Sequence, residues 1–368
     1  MTAWYLLAIG LSFGLAVAAT LLVRTFAYRR KIVDDPNQAP ERKRHDRPTA
    51  LLGGVAIVLS SQIAWLLLNH LGAFSVQPLP AKFFFGLSLA GLAIIIGGGL
   101  DDWRRLSPRA QFMWPLLAGL FVIMAGIGVD FITNPFGGVL FLNQFRWTIL
   151  TWHGMPYHVT LWADLFTVVW ILGTTYTTKI LDGLDGLVTG LGVIGSIIIF
   201  LLTLRPEVAQ PSVALLALVL AGACAGFLLF NWHPASIFLG ESGSLYIGFM
   251  LGVLSTISGG KIATALLILG LPILDLAWVI AQRWLFQKTS PFKTADRRHL
   301  HFQLLEAGLS TRQSVVLLYG LTALFGVATL FFSGRQKVYA LAGVLGVLIL
   351  LTAWVSRRQR QRQQESRP

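Results

Sequence analysis

The sequence predicts an all-α, polytopic integral membrane protein with about eleven transmembrane helices, ten being the next count. Three observations carry this. Hydrophobic residues make up 55% of the 368 positions and charged ones only 12%, whereas a soluble domain carries roughly 25% charged residues. The apolar residues fall in long runs separated by short polar pieces, at mean hydropathy +0.69. The formal net charge of +13 is concentrated beside those runs and at the C-terminus. That distribution is a membrane-topology signal suited to anionic lipids and phosphorylated substrates, and it speaks against nucleic acid. A lone Cys224 inside an apolar run excludes an internal disulfide and a Cys-rich metal site.

In chain order the expected spans are 3–23, 50–70, 82–100, 111–129, 160–180, 187–204, 212–231, 244–258, 262–284, 313–333 and 338–356. The eighth is short for a full crossing, so its start is expected deeper or its tilt small. The first run resembles a signal peptide, but no Lys or Arg precedes it, while Arg24, Arg29, Arg30 and Lys31 follow. This reads as an uncleaved first helix with its N-terminus outside. Eleven spans then place the C-terminus in the cytoplasm, and this orientation puts most Lys and Arg inside. Residues 1–356 are expected to form a single transmembrane domain, followed by a basic cytoplasmic tail, 357–368. The long outer loop, Asp130 to Thr160, suits a short hairpin or interfacial segment, with Trp147, Trp152 and Trp162 at the interface.

This topology gathers the acidic and imidazole side chains on the inner side, in loops 24–49, 101–110, 181–186, 232–243 and 285–312. Asp101 and Asp102 close the third span after Gly97-Gly98-Gly99-Leu100. Carboxylates at a helix C-terminus oppose its dipole and repel each other. A divalent cation, or Arg104 and Arg105, would relieve both. Asp182 and Asp185 stand three apart, a spacing that would put them on one helical face, and Gly183 and Gly186 leave room for phosphate or backbone. Their bland alternative is capping of the next helix. Glu241, among small residues, either suits the start of the eighth helix or completes a Mg²⁺ site of hard oxygen ligands.

Arg297, Arg298, His299 and His301 form a cluster fit for phosphate oxygens, or alternatively a topology anchor. Two histidines without Cys make zinc a poor fit. Lys43 and His45 repeat the theme in the first loop, before Gly53-Gly54. Asp275 lies within the ninth span, three residues after Pro272, where it must be paired or face a cavity. Pro272 is expected to kink that helix.

Five ordered motifs across nearly the whole chain resemble the polyprenyl-phosphate N-acetylhexosamine-1-phosphate transferase family. They are Asp35-Pro36 with Lys43, His45, Pro48 and Gly53-Gly54; Asp101-Asp102; Asp182-Gly183-Leu184-Asp185-Gly186; Gly240-Glu241-Ser242-Gly243-Ser244; and Asp296-Arg297-Arg298-His299-Leu300-His301 with Gly308-Leu309-Ser310. The last looks more like the O-antigen or teichoic-acid branch than the peptidoglycan branch, which usually has three successive histidines. The resemblance implies a UDP-N-acetylhexosamine donor, most often UDP-N-acetylglucosamine, and undecaprenyl or another polyprenyl phosphate as acceptor. It also implies Mg²⁺, with Mn²⁺ as substitute, UMP as by-product, the bacterial inner membrane as location, and leaves a homodimer open. Lys179 and Tyr176 stand where the family usually has Asn, and Glu241 where it usually has Asp.

Under this resemblance Asp101, Asp102, Asp182 and Asp185 are the candidate catalytic residues. Asp185, Glu241 and Asp102 are candidate metal ligands. Lys43, His45, Lys179, Arg297, Arg298, His299 and His301 would bind substrate. Rival classes are a transporter or flippase, which would place polar groups near the midplane, and a transferase of phospho-alcohols, whose longer signature is missing here.

Overall fold

The computed structural model describes all residues except 37–46, 135, 153–154, 259–261, 283–298, 333 and 366–368. It is mostly helical. Thirteen described helices run in chain order: α1 Thr2–Arg29, α2 Gly53–His70, α3 Ala81–Arg104, α4 Pro108–Met124, α5 Leu161–Leu181, α6 Leu187–Thr203, α7 Pro211–Asn231, α8 Gly240–Ile257, α9 Ile262–Ile268, α10 Gly270–Gln282, α11 Leu300–Glu306, α12 Thr311–Phe331 and α13 Arg335–Glu365. Each expected span coincides with one of these helices or with the α9–α10 pair.

Six of the described helices, α1, α2, α3, α7, α12 and α13, are long and apolar enough to cross a membrane, or seven spans if α9 and α10 count as one. Helices α4 and α6 are apolar but only 17 residues long. Helices α5 and α8 carry charge and many Gly, Ser and Thr residues. Such residues lower hydropathy but let helices approach closely within a bundle.

The packing explains why α8 looks polar for a span. Every residue from Ser242 to Thr256 is buried, and α8 packs against α2, α3, α5 and α6. Thr178 Oγ1 on α5 donates to Ser244 O of α8 at 2.8 Å. A Cβ on Gly54 would overlap Gly243 N, and one on Gly98 would overlap Ser242. The glycines near the starts of α2 and α8 and the end of α3 thus allow backbone contact. Helix α8 begins at Gly240, four residues before the expected start, with Gly240 at φ +71°.

The expected ninth span is a pair bent by 78°. The break lies at Leu269, between α9 and α10, so the bend precedes Pro272 rather than centring on it. Pro272 falls in the first turn of α10, where its missing N–H costs no intrahelical bond.

Besides helices, the described residues form three two-stranded antiparallel sheets: β1 Val33–Asp34 with β2 Thr49–Ala50, β3 Phe131–Thr133 with β4 Val139–Phe141, and β5 Arg146–Trp152 with β6 Met155–Thr160. The last two pairs fill the expected hairpin region of the long loop. They join α4 to α5 at the end of the bundle opposite Asp102 and Asp182. Helix α13 continues without a break through Arg357 and Arg358, so the start of the basic tail is a helical extension of the last span.

Candidate active site

Six segments meet at one end of the bundle. The first loop is fastened to the entry of α8: Phe238 N donates to Ala50 O at 2.8 Å, Gly53 N to Phe238 O at 3.1 Å, and Gly54 N to Leu239 O at 2.7 Å. This places the start of α8 against the last turn of α3. There Asp102 Oδ1 accepts from Glu241 N at 3.0 Å, a carboxylate satisfying an orphan N–H at a helix N-terminus. Among the described residues Asp102 Oδ2 is buried without a hydrogen-bond partner, and a Cβ on Gly240 would run into it.

Asp101 points elsewhere. Its Oδ1 accepts from Leu106 N at 2.6 Å and from Gln111 Nε2 at 3.0 Å. Of the two expected arginines, Arg104 lies over the Trp103 ring at 4.6 Å. Asp101 therefore shapes the α3–α4 turn, while Asp102 faces the site.

Asp182 and Asp185 do not share a helical face, contrary to the expectation from their spacing. Asp182 is the residue after α5, and 182–186 form a non-helical turn that ends at Gly186, φ +79°. The two glycines break the helix that the spacing argument assumed. Neither aspartate caps α6 through its side chain. Asp182 is half-buried, and burial, then the charges of Glu241, Asp102 and Asp185, hold its carboxyl well above the usual range. Asp185 Oδ2 instead bonds His233 Nδ1 at 2.8 Å and Ala235 N at 3.1 Å.

Lys179 crosses to the other side of this cluster. Its Nζ lies 2.9 Å from Glu241 Oε2 and 2.9 Å from Gln111 Oε1. The cation expected to meet phosphate is thus an internal counter-ion for Glu241. His301, 1% exposed, packs on the Asp182–Gly186 turn: a Cβ on Gly183 would strike its Nε2. Among the described residues both His301 ring nitrogens are buried without partners. Burial, then the neighbouring His299, pushes its pKa down to about 3, so the ring is neutral at ordinary pH. His299 stacks parallel to His301, with centroids 5.9 Å apart. Lys43, His45, Arg297 and Arg298 lie outside the described residues.

Asp102, Asp182, Asp185, Glu241, Lys179, His299 and His301 thus share one end of the fold. The donor set suits a hard cation in its chemistry, and Asp102 Oδ2 is uncommitted among the described residues. As the described side chains stand, no three acidic, His or Cys groups are arranged around a metal position, because Lys179 occupies Glu241 and His233 occupies Asp185. Sequence reasoning missed Gln111, His233 and Asn231. Asn231 ties three pieces together: its Oδ1 accepts from Gly186 N at 3.1 Å and Thr189 Oγ1 at 2.8 Å, and its Nδ2 donates to Ile237 O at 3.1 Å. An Asn ending an apolar helix, two residues before His233-Pro234, was the available signal.

Residues 84–259 match the pattern of glycosyl transferase family 4. A probable undecaprenyl-phosphate N-acetylglucosaminyl 1-phosphate transferase of Bacillus subtilis is 31% identical over 317 residues, covering 84% of this chain and 80% of that protein. The chain belongs to this family. A decaprenyl-phosphate N-acetylglucosaminephosphotransferase of Mycolicibacterium smegmatis is 31% identical over 362 residues, 91% of this chain and 84% of the relative. A phospho-N-acetylmuramoyl-pentapeptide-transferase of a Synechococcus strain is 33% identical over 258 residues, 65% of this chain and 66% of its own length. Glycosyl transferase family 4 membership covers the stretch from α3 to the end of α8, which carries Asp102, Asp182, Asp185 and Glu241.

Proposed function

We propose that this family 4 protein transfers N-acetylglucosamine 1-phosphate from a UDP-activated sugar to a polyprenyl phosphate, with UMP as the leaving group. The observation that carries this reading is the half-buried carboxylate cluster of Asp102, Asp182, Asp185 and Glu241 at the Asp182–Gly186 turn. Four acids at the end of an apolar bundle demand compensating charge, and a diphosphate with its cation supplies it. The names of the relatives supply the transferred group and the lipid.

In the reaction, an oxygen of the lipid phosphate attacks the phosphorus bound to the sugar. A new P–O–P bond forms, and the P–O bond to UMP breaks, the electron pair leaving with UMP. Asp102 orients the attacking phosphate or takes its proton. A phosphate second pKa near 6 leaves the acceptor mostly ionised at neutral pH, so orientation is the larger task. His299, His301, Lys43, His45, Arg297 and Arg298 are assigned to phosphate oxygens, where Arg binds in a fork and His donates one N–H. Lys179 and His233 hold Glu241 and Asp185 in place until substrate arrives. Mg²⁺, or Mn²⁺ in its stead, would be held by Asp102, Asp185 and Glu241, with Asp182 adjacent, and would neutralise diphosphate charge.

The assigned topology has eleven crossings of the bacterial inner membrane, with the N-terminus outside and the acidic cluster at the cytoplasmic face. It rests on the eleven helical segments and the basic loops. A homodimer is compatible with this arrangement. The test is incubation of the purified protein with polyprenyl phosphate, a divalent cation and a panel of UDP-sugars, scored by UMP release. UMP release with UDP-N-acetylglucosamine supports the reading. No UMP from any sugar, with radiolabelled solute uptake instead, assigns the protein to transport. Label exchange between UMP and UDP-sugar without lipid would replace direct attack by an aspartyl intermediate.

A further inference from the structure

Asp275 is 5% exposed in the middle of the apolar helix α10, an expensive place for a carboxylate. It is far in sequence from every acid of the cluster, and both of its oxygens are committed. Oδ2 lies 2.9 Å from His299 Nδ1, and Oδ1 accepts from Leu300 N at 3.0 Å. His299 is the residue that opens α11, and its own side chain does not cap that helix. Asp275 therefore does two things at once. It satisfies an orphan N–H of the first turn of α11, and it fixes the His299 ring.

The chemistry of the contact is directional. A carboxylate only accepts, so His299 Nδ1 must carry a proton and Nε2 is the nitrogen left for another partner. The ring is also set parallel, within 5°, to His301, which packs on Gly183 of the Asp182–Gly186 turn. A line of contacts thus runs from Asp275 through His299 and His301 to that turn.

We propose that Asp275 is a positioning residue for transfer: from within α10 it fixes the orientation of the His299 ring and accepts its Nδ1–H, so that the doubly protonated ring donates Nε2–H to a substrate phosphate. This rests on the assignment of His299 to phosphate binding, and it deepens that assignment by naming the group that sets the ring.

The decisive variants are Asp275→Asn, Asp275→Glu, His299→Ala and the double variant Asp275→Asn/His299→Ala, in the full-length protein. An Asn that still accepts from Leu300 N turns its NH₂ toward His299 Nδ1. Nδ1 must then be unprotonated, so the doubly protonated ring that donates on both sides is lost while the packing is kept. The kcat of Asp275→Asn is expected to fall about 10–100-fold, as is typical for groups that orient an imidazole, with KM for the lipid little changed. Asp275→Glu, which keeps the acceptor, should recover part of the loss. The double variant should be no slower than His299→Ala alone, because the role of Asp275 passes through His299. Multiplying losses in the double variant, or an unchanged kcat in Asp275→Asn, would overturn the proposal.

A readout independent of turnover separates this from failure of the functional reading. Labelling of His299 by diethyl pyrocarbonate, followed by peptide mass spectrometry, should become several-fold faster in Asp275→Leu than in the parent. The variant's melting temperature shows whether the fold persists. If the parent protein releases no UMP, faster labelling still supports the contact that sets the ring. An unchanged labelling rate in a folded Asp275→Leu protein refutes it.

Discussion

Replacing Lys179 with Met tests whether the acidic cluster depends on an internal counter-ion. Lys179 Nζ sits 2.9 Å from Glu241 Oε2, and the two side chains keep 18% and 30% of their surface exposed. At that separation the direct attraction is about 6 kcal/mol for an effective dielectric near 20. Desolvation opposes most of it, and removing one partner of a buried pair costs about 3–5 kcal/mol. Partial exposure lowers the expectation to about 2–3 kcal/mol, since water reaches both groups. The variant also leaves Gln111 Oε1 without its donor. Thermal unfolding of the detergent-solubilised protein should show a fall of several degrees without cation. Added Mg²⁺ should restore more of that loss than it adds to the parent, because Glu241 is then free to bind it. The double variant Lys179→Met/Glu241→Gln should melt above Lys179→Met, giving a coupling of about 0.5–3 kcal/mol. If Lys179→Met melts with the parent and responds identically to Mg²⁺, the counter-ion argument is wrong.

Three shorter expectations follow from the same geometry. Gly54→Ala places a Cβ on Gly243 N, and backbone cannot move aside as a side chain can; overpacking of this kind costs about 1–3 kcal/mol or more, read as a lower melting temperature together with lost UMP release. Asp182 has a raised carboxyl pKa, so cation-free stability should decline as pH climbs above its unfolded value of about 3.9. Asp182→Asn should flatten that decline in melts taken with a chelator, while transfer falls at least about 100-fold. His301 has a pKa depressed to about 3, so its contribution is complete above about pH 6.5, the unfolded value, and is lost as pH falls below it. His301→Gln should reduce the acid sensitivity of the melting temperature between about pH 6.5 and 4, and an identical acid profile would contradict the neutral, buried ring.

Hydropathy made the helices legible, because a bilayer leaves the backbone few alternatives to the helix. It did less well where packing overrides composition. Helix α8 reads as a short, weak span, yet its glycines and serines mark the most enclosed helix of the bundle. The bend between α9 and α10 was announced by Pro272 but lies at Leu269, before Gly270. Spacing misled at Asp182 and Asp185, because the (i, i+3) rule holds only while the helix continues, and Gly183 and Gly186 end it. The acids themselves were legible from their rarity among apolar residues. Their partners were not. His233 has no sequence relation to Asp185, and Gln111 none to Lys179; only the close approach of separate helix ends pairs them.

That pairing explains how four acids persist at the end of an apolar bundle. Each is answered by a different device. Asp102 takes the first-turn N–H of α8 through Glu241 N, Glu241 takes Lys179, Asp185 takes His233 and Ala235 N, and Asp182 carries a raised pKa. The hydrogen-bonded devices would fail at larger separation, since a hydrogen bond weakens steeply once its atoms move beyond contact. The separation is set by the near-contact of Gly54 with Gly243 and of Gly98 with Ser242. A side chain at either glycine would push the α8 entry away from α3, strand the Asp102 carboxylate and lift Glu241 from Lys179 together. The glycine runs beside the acids are therefore part of the electrostatics of the site: they fix the distances on which its charge balance depends.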